Sequence, residues 1–187
     1  TLQHLSRSYE HWVQDCILNP HIYVGPLSPK MCMDILGKEF EIYSSVPTFY
    51  TDWRWYKSLI DSERKNNRRF LDQLDTLSHS LLDYRCDVSY RSPEENLQLE
   101  NLCLELIDAA KEHDENGYDA FKIYIDPILK KIATNLKTIH NEETKKSFSE
   151  ALKLLNKKNI STQDIRGMKY FPGLFGREQC YFSFLRV

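Results

Sequence analysis

Apolar residues recur along most of this chain at the three-to-four-residue spacing of amphipathic helices, and in two stretches the pattern turns strand-like. In residues 2–18, Leu2, Leu5, Tyr9, Trp12, Val13, Cys16 and Ile17 fall near one helical face, and Asn19-Pro20 stops the run. His21–Val24 has a short extended character, and Gly25-Pro26 marks a turn. Ser28-Pro29 reads as an N-cap with proline at the first helical position, opening a short helix over 29–36 with Gly37 as its C′ residue. Over 39–46 the period changes: Phe40, Ile42 and Ser44 alternate with Glu41, Tyr43 and Ser45, a strand closed by Pro47.

Residues 52–84 read as a long helix or two helices, with Trp53, Tyr56, Ile60, Phe70, Leu74, Leu77, Leu81 and Tyr84 in an interrupted stripe. The wholly polar stretch Asp61–Arg69 predicts a break, because a turn that is polar all round buries nothing. Ser92-Pro93-Glu94-Glu95 is the sharpest local signal: a capping box with proline at the first helical position. Leu99, Leu102, Cys103, Leu106 and Ala110 follow on one face, and Asn116-Gly117 ends that helix. A helix over 118–139 is expected to bury Phe121, Ile125, Ile128, Leu129, Ile132, Leu136 and Ile139, with Pro127 as a kink or late start. A further helix over 142–157 carries Phe148, Leu152 and Leu155 as its packing stripe. Ser161 begins a short turn or helix, Phe171-Pro172-Gly173 is a loop, and residues 179–187 read as a strand apolar on both faces.

The pattern predicts a mostly α fold: a helical bundle with a small terminal β-sheet, of the α+β class. It is read as one domain over 1–187, with a helical insertion at about 52–165 between strands 39–46 and 179–187. The two strands are expected to pair, with His21–Val24 or a second chain joining them because a two-stranded ribbon is marginal alone. Short connections at Asn116-Gly117 and His140-Asn141 make neighbouring helices antiparallel.

Composition narrows the function classes. A chain that is 41% hydrophobic and 12% aromatic can build a core, and a net charge of −2 gives no electrostatic case for nucleic acid. Cys16, Cys32, Cys86, Cys103 and Cys180 are widely spaced with no C-x-x-C, which reads as reduced thiols in a cytoplasmic protein. No run is apolar enough to span a membrane. The chain opens on Thr1, which fits a trimmed or processed chain or the later part of a longer one. None of the glycines forms a phosphate-cradling pattern, and no catalytic residue or metal-ligand motif can be named.

One cluster stands out. Tyr50–Lys57 (YTDWRWYK) crowds aromatics beside Arg54, Lys57 and Asp52. Trp53 and Trp55 cannot both face one core if this segment is helical, so one indole is left for stacking or cation–π contact while Arg54 offers a fork to an anion. Packing of a buried helix is the alternative. Arg177, between Gly176 and the closing strand, is a further candidate anion contact. The ligand- or partner-binding candidates are therefore Trp53, Arg54, Trp55, Lys57 and Arg177. The histidines, the basic residues Arg64, Lys65, Arg68 and Arg69, and the helix-borne lysines from Lys130 to Lys158 read as packed or solvated positions.

The segment Leu27–Ser45 (LSPKMCMDILGKEFEIYSS) and the closing strand over 179–187 together resemble the C-terminal half of a class I S-adenosylmethionine-dependent methyltransferase. The first resembles that family's helix followed by strand six, the second its last, antiparallel strand. The resemblance implies that these strands pair, with the intervening helices as a cap or substrate-binding part. The family's glycine-rich cofactor loop and ribose-binding acid have no counterpart here, so S-adenosylmethionine binding would need an upstream part. Two readings result: a helical binding module for a protein or small-molecule partner, or the C-terminal substrate-binding portion of such a methyltransferase.

Overall fold

The computed structural model of the chain describes Ser8, Glu10, His11, Gln14 and residues 27–49, 66–83, 89–113, 118–174 and 180–186. Apart from those first four positions, the expected helix over 2–18 lies outside the described residues, as do His21–Val24 and Tyr50–Lys57. Among the described residues the fold is mostly helical with one two-stranded sheet. The order is α1 (Pro29–Leu36), β1 (Phe40–Val46), α2 (Asn66–Leu77) running into a 3-10 turn at Ser78–Leu82, α3 (Pro93–His113), α4 (Tyr118–Asn135), α5 (Glu142–Leu155), α6 (Thr162–Arg166) and β2 (Tyr181–Arg186).

Local signals set several of these boundaries. Ser28 Oγ accepts the Met31 N–H at 3.2 Å ahead of Pro29. Gly37 closes α1 with φ −64°, in the right-handed region, so a left-handed cap is not why glycine stands there. A Cβ at this position would lie 2.5 Å from Met33 O, and that close approach is what excludes a side chain. Ser92 Oγ accepts the Glu95 N–H at 3.1 Å, but the Glu95 carboxylate lies 3.7 Å from Arg91 Nε. The reciprocal capping box is formed instead by Ser161 and Asp164.

The strands pair antiparallel as expected, with Phe40 opposite Arg186 and Val46 opposite Tyr181. A bulge between Ile42 and Ser44 changes the face that β1 presents: Ile42 and Ser45 oppose the inward rings Phe184 and Phe182. Strict alternation had grouped Ser44, not Ser45, with Ile42. The outer face of β2 is not covered as its apolar sequence predicts, since Tyr181 is 62% and Leu185 48% exposed.

Among the described residues, two apolar clusters form the core. The first packs Met33, Ile42, Phe49, Phe70, Leu74 and Leu77 under the sheet, against Phe182 and Phe184. The Phe70 and Phe182 rings meet edge to face with centroids 5.8 Å apart. Polar pins fix α2 to β1 from a stretch that reads as wholly solvated. The Asn67 side chain accepts the Ile42 N–H at 2.8 Å and donates to Phe40 O at 2.9 Å, imitating a neighbouring strand. The buried Glu41 carboxylate accepts the Asn66 N–H at 3.1 Å, at the N-terminus of α2 where negative charge is favoured. Arg68 and Arg69 are exposed, as expected.

The second cluster joins Leu99 and Leu102 of α3 to Ile128, Ile132, Leu136 and Ile139, all buried. Lys131 lies by Glu105 and the Asn135 side chain donates to Glu95 O, so α3 and α4 run antiparallel. Pro127 sits inside α4.

Candidate partner-binding groove

The residues named from sequence, Trp53, Arg54, Trp55, Lys57 and Arg177, all lie outside the described residues. Besides two more open hollows along α3 and α4, the described part brings polar chemistry and apolar surface together at a buried centre and at a groove.

The buried polar centre lies at the end of the α3–α4 seam. Arg91 is 6% exposed. Its guanidinium donates to Asn135 O at 2.8 Å, Asn135 Oδ1 at 2.6 Å, Asn96 Oδ1 at 3.2 Å and Thr138 Oγ1 at 3.0 Å. Asn96 Nδ2 donates in turn to Asp75 O at 2.7 Å, which ties α2 to the same centre. Beside it His79 is 3% exposed, with Nε2 3.5 Å from Ser89 Oγ. Burial, then the charge of Arg91, then His140, push the His79 pKa down from 6.5 to about 4, so the ring is neutral. The ring is nearly fully buried, and the hydrogen bonds of this centre join α2, α3 and α4. Among the described residues no group of His, Cys, Asp and Glu side chains is placed to hold a metal ion, and no helix is long and apolar enough to cross a membrane.

The groove lies in the seam between α4 and α5. The apolar stripe of α5 packs only in part: Phe148 touches the second cluster, yet Phe148, Leu152 and Leu155 are all half-buried, and the buried positions of this helix are Thr144 and Ser147. Polar clamps explain why. Asn141 caps α5, its Oδ1 accepting the Thr144 N–H at 2.9 Å, while Thr144 Oγ1 donates to the buried Asp83 at 3.0 Å. Further along, Glu150 accepts the backbone N–H groups of Lys169, Tyr170 and Phe171 at 2.7, 2.8 and 2.8 Å. Burial pushes the Glu150 carboxyl up, but these hydrogen bonds outweigh it and hold the pKa below the ordinary value. Helix α5 is thus secured through polar groups on one flank, and its apolar flank is only partly covered by α4.

What remains is a groove of ≈ 330 Å³ with Ala133, Leu136, Phe148 and Leu152 as its floor. Ala133, Leu152 and Asn156 also line an adjoining hollow of ≈ 130 Å³ reaching Leu129 and Asp126, so the two lie side by side. Lysines border both sides: Lys130 and Lys137 from α4 and the segment after it, Lys145 and Lys153 from α5. Lys145 pairs with Glu142 at 2.8 Å, and Asp126 is neutralised by Lys122 at 2.7 Å. Lys130, Lys137 and Lys153 have no ion-pair partner among the described residues.

The sequence places these lysines at solvent positions: Lys130, Lys137 and Lys153 are exposed and Lys145 is half-buried, while Phe148 and Leu152 belong to the apolar stripe of the same helix as Lys145 and Lys153. The available signal was their interleaving: Lys145, Ser149 and Lys153 recur at four-residue spacing beside Phe148 and Leu152. No family model, no curated protein and no solved structure matches this chain, so the reading of the groove rests on its own geometry.

Proposed function

We propose that this protein is a helical interaction module that receives a protein partner in the seam between α4 and α5. The observation that carries the reading is a floor of buried Leu136 and half-covered Ala133, Phe148 and Leu152 between helices already secured by polar clamps. Apolar surface held open in this way gains by being covered, at about 25 cal/mol per Å² removed from water. The lysine border keeps the groove wetted while empty and gives a partner's register something to read.

The test is a photo-crosslinking residue at Ser149, an exposed position lining the groove, against one at Gln163 on α6. The expected result is a partner identified from Ser149 alone, whose purified form loses binding to the Leu152→Glu variant. Equal labelling from both positions, or purified binding that ignores Leu152→Glu, contradicts the reading.

The antiparallel pairing of β1 with β2 favours a second reading, the C-terminal portion of an S-adenosylmethionine-dependent methyltransferase. The described residues do not fit that cofactor by themselves: the sheet has no parallel strand leading into a glycine-rich turn. Calorimetry with S-adenosylmethionine on a chain carrying its upstream sequence tests it. Heat of binding there, with a competent cofactor loop upstream, favours this reading, and none removes it.

A further inference from the structure

We infer that the occupant of the α4–α5 groove is an acidic amphipathic helix: an apolar stripe for the floor, flanked on both sides by carboxylates for the lysines. The inference rests on the interaction reading above and adds the chemistry of the partner. Size is the first argument. From Asp126 to Lys137 the groove follows α4 and the 3-10 turn at Leu136–Thr138 for roughly 17 Å at the helical rises, about three helical turns. The two hollows share Ala133, Leu152 and Asn156, so an elongated occupant can fill both.

Charge is the second argument. Lys130 and Lys137 stand on one bank, Lys145 and Lys153 on the other, and of these Lys145 alone is matched by an internal carboxylate. A helix lying between the banks with residues i, i+3, i+4 and i+7 on the floor directs its flanking positions at both. Basic or uncharged helices bury the same apolar stripe but leave the lysines unmatched, and basic ones add repulsion.

The experiment uses the full chain and a fluorescent synthetic helix of about fourteen residues, with leucines at that spacing and glutamates on both flanks. Competing probes are the same peptide with lysines for glutamates, and vesicles of phosphatidylserine. Amide NMR shifts locate the contact, and sedimentation follows self-association. The expected result is binding of the acidic peptide with shifts centred on Ala133, Phe148 and Leu152, weakened by salt and by roughly tenfold in Lys137→Glu/Lys153→Glu. Both of those lysines are exposed, so the variant should keep its fold, which circular dichroism verifies.

Equal binding of the lysine peptide in the groove overturns the acidic assignment and leaves the interaction reading standing. Shifts in the groove from neither peptide overturn both. Binding to vesicles without binding to the acidic peptide makes an anionic membrane surface the occupant. A self-association that excludes the peptide makes it a second copy. Either of these last outcomes overturns the inference.

Discussion

Among the described residues, helix α4 has two neighbouring helices and treats them differently. Towards α3 it buries Ile128 and Ile132, with Leu136 just past its end, against Leu99 and Leu102, and Arg91 closes the end of that seam with hydrogen bonds to both helices. Towards α5 it presents Ala133 and Leu129 to side chains that stay half-exposed, and the fastening is polar and displaced to one flank. The first seam is the interior of a fold. The second has the composition of an interface core with half of it missing. Apolar content alone does not separate them, since Phe148 and Leu152 are as apolar as Leu99 and Leu102. What separates them is how completely the neighbour covers each side chain.

The largest expected effect strikes the closed seam. Arg91→Leu leaves Asn96, Asn135 and Thr138 without their buried donor, and should cost roughly 3–5 kcal/mol in urea unfolding. A loss below 1 kcal/mol, on the order of a surface ion pair, would remove the polar centre from the account. Next comes a direct contrast. Ile132→Ala should cost about 2–5 kcal/mol, and Leu152→Ala about 1 kcal/mol, because the half-exposed side chain has less burial to lose. Equal costs would erase the difference between the seams.

Acid should act on the two regions in different pH windows. His79 has a folded pKa lowered from 6.5 to about 4, so the neutral ring's stability is intact above 6.5 and is lost as pH falls towards 4, where the folded ring also takes up a proton. The loss is roughly 3 kcal/mol, and His79→Gln should flatten stability across that window. The Glu150 carboxyl is lowered below its ordinary 4.5, so the clamp on α5 is fully present above that value and fails only as pH drops through the lower folded value. The smallest effect is local: Glu150→Gln should speed hydrogen exchange at the Lys169, Tyr170 and Phe171 amides while leaving the melting temperature nearly unchanged. A large fall in melting temperature would mean that the clamp supports the whole fold.

How legible this was follows from the range of each interaction. Ser28 before Pro29, Ser92 with Glu95, and the period of residues 39–46 act within a few residues, and each marks its element correctly in the sequence. Asn67 on the edge of β1 and Arg91 on Asn135 bridge 25 and 44 positions, and nothing local selects those partners. Helical spacing says which face of α5 is apolar, but not that α4 covers only part of it. One by one, Lys130, Lys137 and Lys153 are exposed as the sequence suggests, and Lys145 is half-buried. Their arrangement around a shared floor exists only once α4 and α5 are side by side. The cluster from Trp53 to Lys57, and Arg177, lie outside the described residues, so the sequence reading of them stands as it was.

The central claim, that the α4–α5 seam is held open for a partner, is tested most directly by closing it. Ala133 lines both hollows, and Ala133→Leu fills them from within. If the seam is an interface awaiting its other half, this variant gains about 0.5–2 kcal/mol of stability and loses the acidic helical peptide. A variant that is less stable, or that binds the peptide as well as the parent chain does, contradicts the account.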